Sequence, residues 1–124
     1  MAQNEKQECP VAKWYEPPAR KPRSPLESGY QSRLRKKLLK RYNGCQVMKT
    51  DATVDQGIPD LLIVYGSKRA YLECKRSPNA RFRPNQKARI EALNSICFAR
   101  AINPQNEGEV LYDLDIYFGG TNHG

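Results

Sequence analysis

Residues 57 to 75 constrain the fold most, because they contain two short apolar runs separated by a turn. They read GIPDLLIVYGSKRAYLECK. The runs at 61–65 and 70–74 have the length of strands, and the GSKR between them, with Gly66, is typical of a β-hairpin turn. The sequence therefore predicts an antiparallel pair of strands here.

Three ionisable side chains occupy orderly positions in this hairpin. Asp60 precedes the first run, and Glu73 and Lys75 end the second. Alternate side chains of a strand share a face, so Glu73 and Lys75 point to one side, and pairing across the hairpin can bring Asp60 near them. Two converging carboxylates repel each other unless a cation lies between them, and oxygen ligands favour Mg²⁺ or Mn²⁺. The alternative interpretation is a surface ion pair at the end of a strand.

A helix is predicted before the hairpin, over residues 25–42. Glu27, Gln31, Leu34 and Leu38 recur at helical spacing and share one face, so the core-facing stripe begins with a carboxylate and an amide. The alternative role of Glu27 is to cap the helix and to favour its positive dipole end. The rest of the helix is basic, with Arg33, Arg35, Lys36, Lys37, Lys40 and Arg41.

A second helix is predicted after the hairpin, beginning at Pro84. On it Gln86, Ile90 and Leu93 recur at helical spacing, so Gln86 lies where the apolar stripe meets the first turn. The alternative is an exposed amide. Further cations surround the start of this helix: Arg76, Arg81, Arg83, Lys87 and Arg89.

Three more strands are expected from the pattern of apolar residues. One lies near residues 46–50, and the segments ICFARAI and EVLYDLDIYF predict two closing strands separated by the turn-forming NPQNEGE. Together with the two helices, these strands predict an α/β domain over residues 25–118. Residues 1–24 are predicted to form an extended, basic, Pro-rich arm, and residues 119–124 a flexible tail.

Charge and composition narrow the class of protein. Lys and Arg number 21 against 13 Asp and Glu, which gives a net charge of +8 and favours nucleic acid or anionic lipid as a partner. No apolar run approaches the roughly 20 residues of a membrane-spanning helix, and the first ten residues lack the apolar centre of a signal peptide, so a soluble intracellular protein is expected.

Cysteine and histidine usage argues against several kinds of site. The four cysteines, Cys9, Cys45, Cys74 and Cys97, occur singly, and the one histidine is His123. Neither a zinc site nor a disulfide framework fits this spacing, so free thiols are expected. A catalytic triad based on histidine is also disfavoured.

The order of elements and polar residues resembles the PD-(D/E)xK nuclease superfamily and, within it, the VRR-NUC-type domain found in small, stand-alone, virus-encoded nucleases. The family pattern has a Glu on the first helix, G-x-P-D before a strand, E-x-K on the next strand, and a Gln early in the following helix. In this chain the matching residues are Glu27, Asp60 in GIPD, Glu73 and Lys75 in ECK, and Gln86 in RPNQ. The resemblance covers residues 26–102.

The resemblance implies a restriction-endonuclease-like core, in which helices flank a central mixed β-sheet. It implies that Asp60 and Glu73 bind Mg²⁺ or Mn²⁺, with an additional contact from Glu27, and that no small-molecule cofactor takes part. Lys75 would position the attacking water, and Gln86 would orient that water or the scissile phosphate. The implied reaction is metal-dependent hydrolysis of phosphodiester bonds in DNA, a chemistry that needs no histidine.

The substrate and the partners follow less directly from the resemblance. Similar virus-encoded enzymes, some of them homodimers, cut branched DNA such as Holliday junctions, which implies structure selectivity and a location in the host cytoplasm. The expected contacts to DNA are Arg33, Arg35, Lys36, Lys37, Lys40, Arg76, Arg81, Arg83 and Lys87. Two alternatives remain: a catalytically silent nuclease fold that only binds nucleic acid, and a viral accessory protein.

Overall fold

The computed structural model describes residues 25–51 and 57–119. The elements in chain order are α1 (Pro25–Arg41), β1 (Gln46–Lys49), β2 (Leu61–Tyr65), β3 (Lys68–Cys74), α2 (Gln86–Asn94), β4 (Phe98–Ile102) and α3 (Glu107–Tyr117). The chain therefore has an α/β fold, as predicted. The predicted arm, residues 1–24, and residues 120–124 of the predicted tail lie outside the described residues.

The four strands form one mixed sheet in the order β1-β2-β3-β4. Antiparallel pairing joins β1 to β2 and β2 to β3, whereas β3 and β4 are parallel. Helix α2 lies in the crossover between the two parallel strands, which cannot be joined by a tight turn. The predicted hairpin is confirmed, and so are the strand before it and the strand in ICFARAI.

Helix α1 forms where the spacing of its apolar residues predicts it. Leu34 and Leu38 are fully buried, and Gln31 is buried one turn before Leu34. Gly44 follows the helix with φ at +90°, the left-handed conformation that commonly ends helices. The side chain of Glu27, at the start of the same stripe, lies outside the described residues.

The main core fills one face of the sheet, which α1 and α3 cover. Its residues come from both helices and from alternate positions of the strands: Tyr30, Leu34, Leu38, Tyr42, Val47, Leu61, Ile63, Ala70, Leu72, Phe98, Ile102, Val110, Leu111, Leu114 and Phe118. At one end the rings of Tyr42 and Phe118 pack edge to face, with centroids 4.9 Å apart. The thiols of Cys45 and Cys74 are buried in this core, and that of Cys97 is half-buried.

The prediction of a last strand in EVLYDLDIYF is wrong, because residues 107–117 form α3. Val110, Tyr112, Leu114 and Ile116 alternate with other residues as they would in a strand, which explains the incorrect prediction. Val110 and Leu114, four residues apart, are buried, whereas Tyr112 and Ile116 are 64% and 59% exposed. The core thus selects the helical pattern over the alternating one.

Helix α2 packs on the opposite face of the sheet. Ile90 of this helix is buried, and the side chain of Asn94 accepts a hydrogen bond from the amide of Ala99 on β4. Met48 on the edge strand of the same face is 40% exposed. Across residues 25–51 and 57–119, no helix is long and apolar enough to cross a bilayer.

Candidate active site

Asp60 and Glu73 lie next to each other at one end of the hairpin. The register pairs Leu61 with Leu72, so the next positions outward are Asp60 and Glu73. The amide of Asp60 donates to Oε1 of Glu73 over 3.1 Å, and the amide of Cys74 donates to Oδ2 of Asp60 over 2.9 Å. Both side chains are buried, at 7% and 1% exposure. The predicted proximity of the two carboxylates is confirmed.

Lys75 and Gln86 complete a buried polar group around Glu73. The Lys75 ammonium lies 3.3 Å from Oε2 of Glu73 and donates to Oε1 of Gln86 over 3.2 Å. The Gln86 amide donates to the same Oε2 of Glu73 over 2.7 Å. Gln86 is 3% exposed, which excludes the interpretation as an exposed amide. We call Asp60, Glu73, Lys75 and Gln86 the Glu73 cluster.

The backbone of residues 81–83 is attached to this cluster at both ends. The Lys75 ammonium donates to the carbonyl of Arg81 over 2.9 Å, and the amide of Arg83 donates to Oε1 of Gln86 over 2.8 Å. Between them the ring of Phe82 lies over the Lys75 ammonium, 4.9 Å from Nζ to the ring centroid. Sequence reasoning identified Arg81 and Arg83 but missed Phe82, although an aromatic residue between two arginines is itself a signal of nucleic-acid binding.

A close backbone approach fixes the position of Gln86 relative to the GIPD loop. Gly57 has φ at +85°, and a Cβ at this position would lie 3.1 Å from the carbonyl oxygen of Asn85. Asn85, directly before Gln86, also has a left-handed conformation, with φ at 69°. Glycine at position 57 is therefore required both by its own conformation and by its neighbour. The amide and the hydroxyl of Thr50 bond to the carbonyl of Asp60, which holds the other end of the loop.

The Glu73 cluster brings two buried carboxylates, Asp60 and Glu73, together with one ammonium, Lys75. Carboxylates buried close together repel each other, and a divalent cation between them would relieve that repulsion. Two carboxylates suit Mg²⁺ or Mn²⁺, because these ions bind through one or two carboxylates and take the remaining oxygens from substrate and water.

A larger set of metal ligands is not found in the part of the chain that the structure describes. Within residues 25–51 and 57–119, no group of three or more His, Cys, Asp or Glu side chains is arranged to hold a metal. The predicted third acidic residue, Glu27, is not among the side chains described. The oxygen donors of Asp60 and Glu73 fit the predicted ion by their chemistry, and the contribution of Glu27 stays a prediction.

The predicted DNA contacts have different surroundings in the structure. Arg33 and Arg76, far apart in the sequence, line one pocket of about 330 Å³ together with Tyr30, Ser77 and Pro104. In the sequence Arg76 follows Lys75 of the Glu73 cluster directly.

Other predicted contacts are engaged within the chain or face solvent. Arg35 donates to the carbonyl of Val47, and Lys37 pairs with Glu107. The remaining side chains are exposed or half-buried: Lys36, Lys40, Arg81, Arg83 and Lys87. The structure thus brings Arg33 and Arg76 together at one pocket and pairs Lys37 with Glu107 of α3.

Comparison of the chain with family models, with curated proteins and with solved structures found no match.

Proposed function

We propose that this protein is a metal-dependent endonuclease that hydrolyses phosphodiester bonds in DNA, with the restriction-endonuclease-like fold of the PD-(D/E)xK superfamily. One observation carries the proposal. Asp60, Glu73, Lys75 and Gln86, which the resemblance identifies separately, meet in one buried, hydrogen-bonded group. A group that served only as a surface ion pair would be exposed and would have no use for the buried amide of Gln86.

Asp60 and Glu73 would hold Mg²⁺ or Mn²⁺, with Glu27 as a further ligand or an outer contact. Such an ion supplies a Lewis acid that stabilises the negative charge developing on the phosphate. The protein's own contribution is to hold the two carboxylates in place before the ion binds. The backbone amides of Asp60 and Cys74 do this, because each donates to one of the two side chains.

Lys75 is the residue suited to act on the attacking water and the phosphate. Its ammonium is buried at 7% exposure and is directed by the carbonyl of Arg81 and the amide of Gln86. A compact cation fixed in this way can orient a water and stabilise negative charge with little reorganisation. The side-chain amide of Gln86 joins Glu73 to Lys75, because its nitrogen donates to Glu73 and its oxygen accepts from Lys75. We therefore assign Gln86 the role of positioning these two residues, in addition to orienting the water or the scissile phosphate.

The proposed substrate is DNA, and branched DNA in particular. The net charge of +8 favours a polyanion, and Arg33 and Arg76 provide two guanidinium groups for phosphate at one pocket. A homodimer would place two such sites across a two-fold axis, where they could cut both strands of a junction symmetrically. Selectivity for structure is proposed because Arg33 and Arg76 are assigned to phosphate, and phosphate contacts carry no sequence information.

The test is cleavage of a labelled four-way junction and of a linear duplex with the same sequence. Purified protein is incubated with each substrate in Mg²⁺, in Mn²⁺ and in chelator. We expect cutting of the junction only when metal is present. In Asp60→Asn we expect cutting to be lost, because the amide can still accept the hydrogen bond from Cys74 but no longer provides a charged ligand.

Glu109→Gln is the matched control, since it removes one carboxylate from an exposed position on α3. It should cut like the wild-type protein. Cutting that persists in chelator, or in Asp60→Asn with an unchanged rate, contradicts the assignment. Binding of the junction without cutting in either metal would favour the binding module over the enzyme.

A further inference from the structure

We infer that Phe82 is a stacking platform for an unpaired base of the nucleic acid, placed beside the scissile phosphate. The inference rests on the proposed function, because it names the part of a branched substrate that the same site would recognise. Phe82 is 38% exposed, although its ring lies 4.9 Å from the Lys75 ammonium. An apolar ring held between a buried catalytic group and solvent has one side available to a ligand.

The position of Phe82 is fixed by the residues on both sides of it. Arg81 accepts a hydrogen bond from Lys75 through its carbonyl, and Arg83 donates its amide to Gln86. Consecutive residues 81, 82 and 83 therefore each contact the Glu73 cluster. A ring anchored in this way loses little further freedom when a base stacks on it, which favours binding.

The charges around Phe82 suit a nucleic-acid strand better than an apolar partner. Arg81 is exposed and Arg83 is half-buried, so a guanidinium group precedes and follows the ring in the chain. Proteins that bind single strands combine such cations, which follow the phosphates, with aromatic rings on which bases stack. In a continuous duplex the bases are already stacked on each other. Phe82 would therefore favour binding to branches and ends of DNA, where unpaired bases are available.

A competing role for Phe82 is to shield the Lys75 ammonium from water. The two roles respond differently to substitution. Leucine at position 82 keeps an apolar cover but offers no π-face, whereas tryptophan provides a larger one. A shielding residue should therefore tolerate leucine, and a stacking residue should not.

The experiment measures binding in chelator, so that it does not depend on cleavage. Two fluorescent probes are compared: a duplex that carries a single-stranded flap, and the fully paired duplex of the same sequence. The variants are Phe82→Leu, Phe82→Trp and, as a matched control, Tyr112→Leu, which removes a 64% exposed aromatic ring from α3 on the other side of the sheet. Thermal unfolding of each variant verifies that the fold is intact.

We expect Phe82→Leu to bind the flap probe about 5- to 150-fold more weakly, the range that loss of one stacked base produces. Binding to the paired duplex should change by less than about twofold, since the phosphate contacts remain. Phe82→Trp and Tyr112→Leu should bind both probes like the wild-type protein. A flap probe with 5-iodouracil at the branch should also cross-link to Phe82 on irradiation.

Three results would overturn the inference: equal binding of the flap probe by Phe82→Leu and the wild-type protein, equal losses on both probes, or no preference of the wild-type protein for the flap. These results are separate from those that test the endonuclease. If the wild-type protein fails to cut DNA in any metal but Phe82→Leu loses flap binding selectively, the proposed reaction fails and the stacking site stands.

Discussion

Two polar groups hold different parts of this fold, and they differ in burial and in the number of carboxylates that they bring together. The Asp115 cluster consists of Arg41, Tyr42 and Asp115, where α1 ends against α3. The Arg41 guanidinium donates twice to Asp115, over 2.9 and 2.6 Å, and the Tyr42 hydroxyl donates to the same carboxylate. The Arg41 and Asp115 side chains are both partly exposed, at 30% and 18%.

The Glu73 cluster differs from the Asp115 cluster in burial and in the number of its carboxylates. It brings two carboxylates together with one ammonium, and each of these side chains is less than 10% exposed. A partly exposed pair is solvated by water, whereas two carboxylates buried close together repel each other in a way that a bound cation can relieve. Burial of two neighbouring carboxylates, rather than the mere presence of polar groups, therefore distinguishes the candidate site from the Asp115 cluster.

The largest expected effect comes from making the same change, carboxylate to amide, in both clusters. Glu73→Gln should reduce metal-dependent cutting of a junction by about 10³-fold or more, because it removes a charged ligand from the group that would hold the metal. Asp115→Asn should cut at the wild-type rate, although it lowers the free energy of unfolding. Initial rates of junction cutting and free energies of unfolding in urea are measured for both variants. Similar cutting by the two variants would show that the clusters do not differ in function.

Removal of the cation from each cluster should give the next largest effect. Lys75→Met leaves two buried carboxylates without their ammonium and should lower the free energy of unfolding in chelator by about 3 kcal/mol. Mg²⁺ should restore part of this loss. Arg41→Met should cost less, about 1 kcal/mol, because Asp115 is partly solvated, and Mg²⁺ should have no effect on it. Urea unfolding with and without Mg²⁺ measures both, and an equal response of the two variants to Mg²⁺ would contradict the prediction.

The sequence predicts the Glu73 cluster well because its geometry is mostly local. Strand alternation and the hairpin turn place Asp60 near Glu73, and helical spacing places Gln86 on a buried stripe. The contacts from residues 81–83 could not be predicted, since this segment lies between regular elements and has no periodicity. The sequence incorrectly predicts a strand at α3 because apolar residues there alternate. The packing of the core decides between this alternating pattern and the helical pattern of Val110 and Leu114.

Replacing a glycine that the backbone requires should have a smaller effect on stability and cutting than the changes above. Gly57→Ala places a methyl group 3.1 Å from the Asn85 carbonyl and forces alanine into a left-handed conformation, so we expect a loss of about 1–2 kcal/mol in unfolding free energy and slower cutting. Gly119→Ala, just after α3, has φ at +97° but no neighbour within 4 Å of the added carbon. It should show the loss of stability alone. Equal cutting by both variants would argue against a role for the Gly57 approach in positioning Gln86.

The smallest expected effect is a change in the pH dependence of stability. Burial raises the pKa of Tyr42, and the hydrogen bond to Asp115 raises it further. The folded-state pKa thus exceeds the unfolded value of about 10, so this contribution is complete below about pH 10 and is lost as the pH rises through the folded-state pKa. In Tyr42→Phe the decline of unfolding free energy above about pH 10 should be less steep, by up to about 1.4 kcal/mol per pH unit. Urea unfolding at a series of pH values measures the unfolding free energy of the wild-type protein and of Tyr42→Phe. The same pH dependence in both proteins would contradict the prediction.

The separation along the chain of the residues that form each contact has a consequence for folding order. The hydrogen bonds that form the Glu73 cluster join residues only 11 to 14 positions apart, whereas the hydrogen bonds of α3 with α1 and Tyr42 join residues 70 to 77 positions apart. Closing a short loop costs less entropy than closing a long one, and local contacts form faster. We therefore expect the hairpin and the start of α2 to assemble before the last helix docks, so that the geometry of the Glu73 cluster is set early in folding and α3 packs against the sheet afterwards.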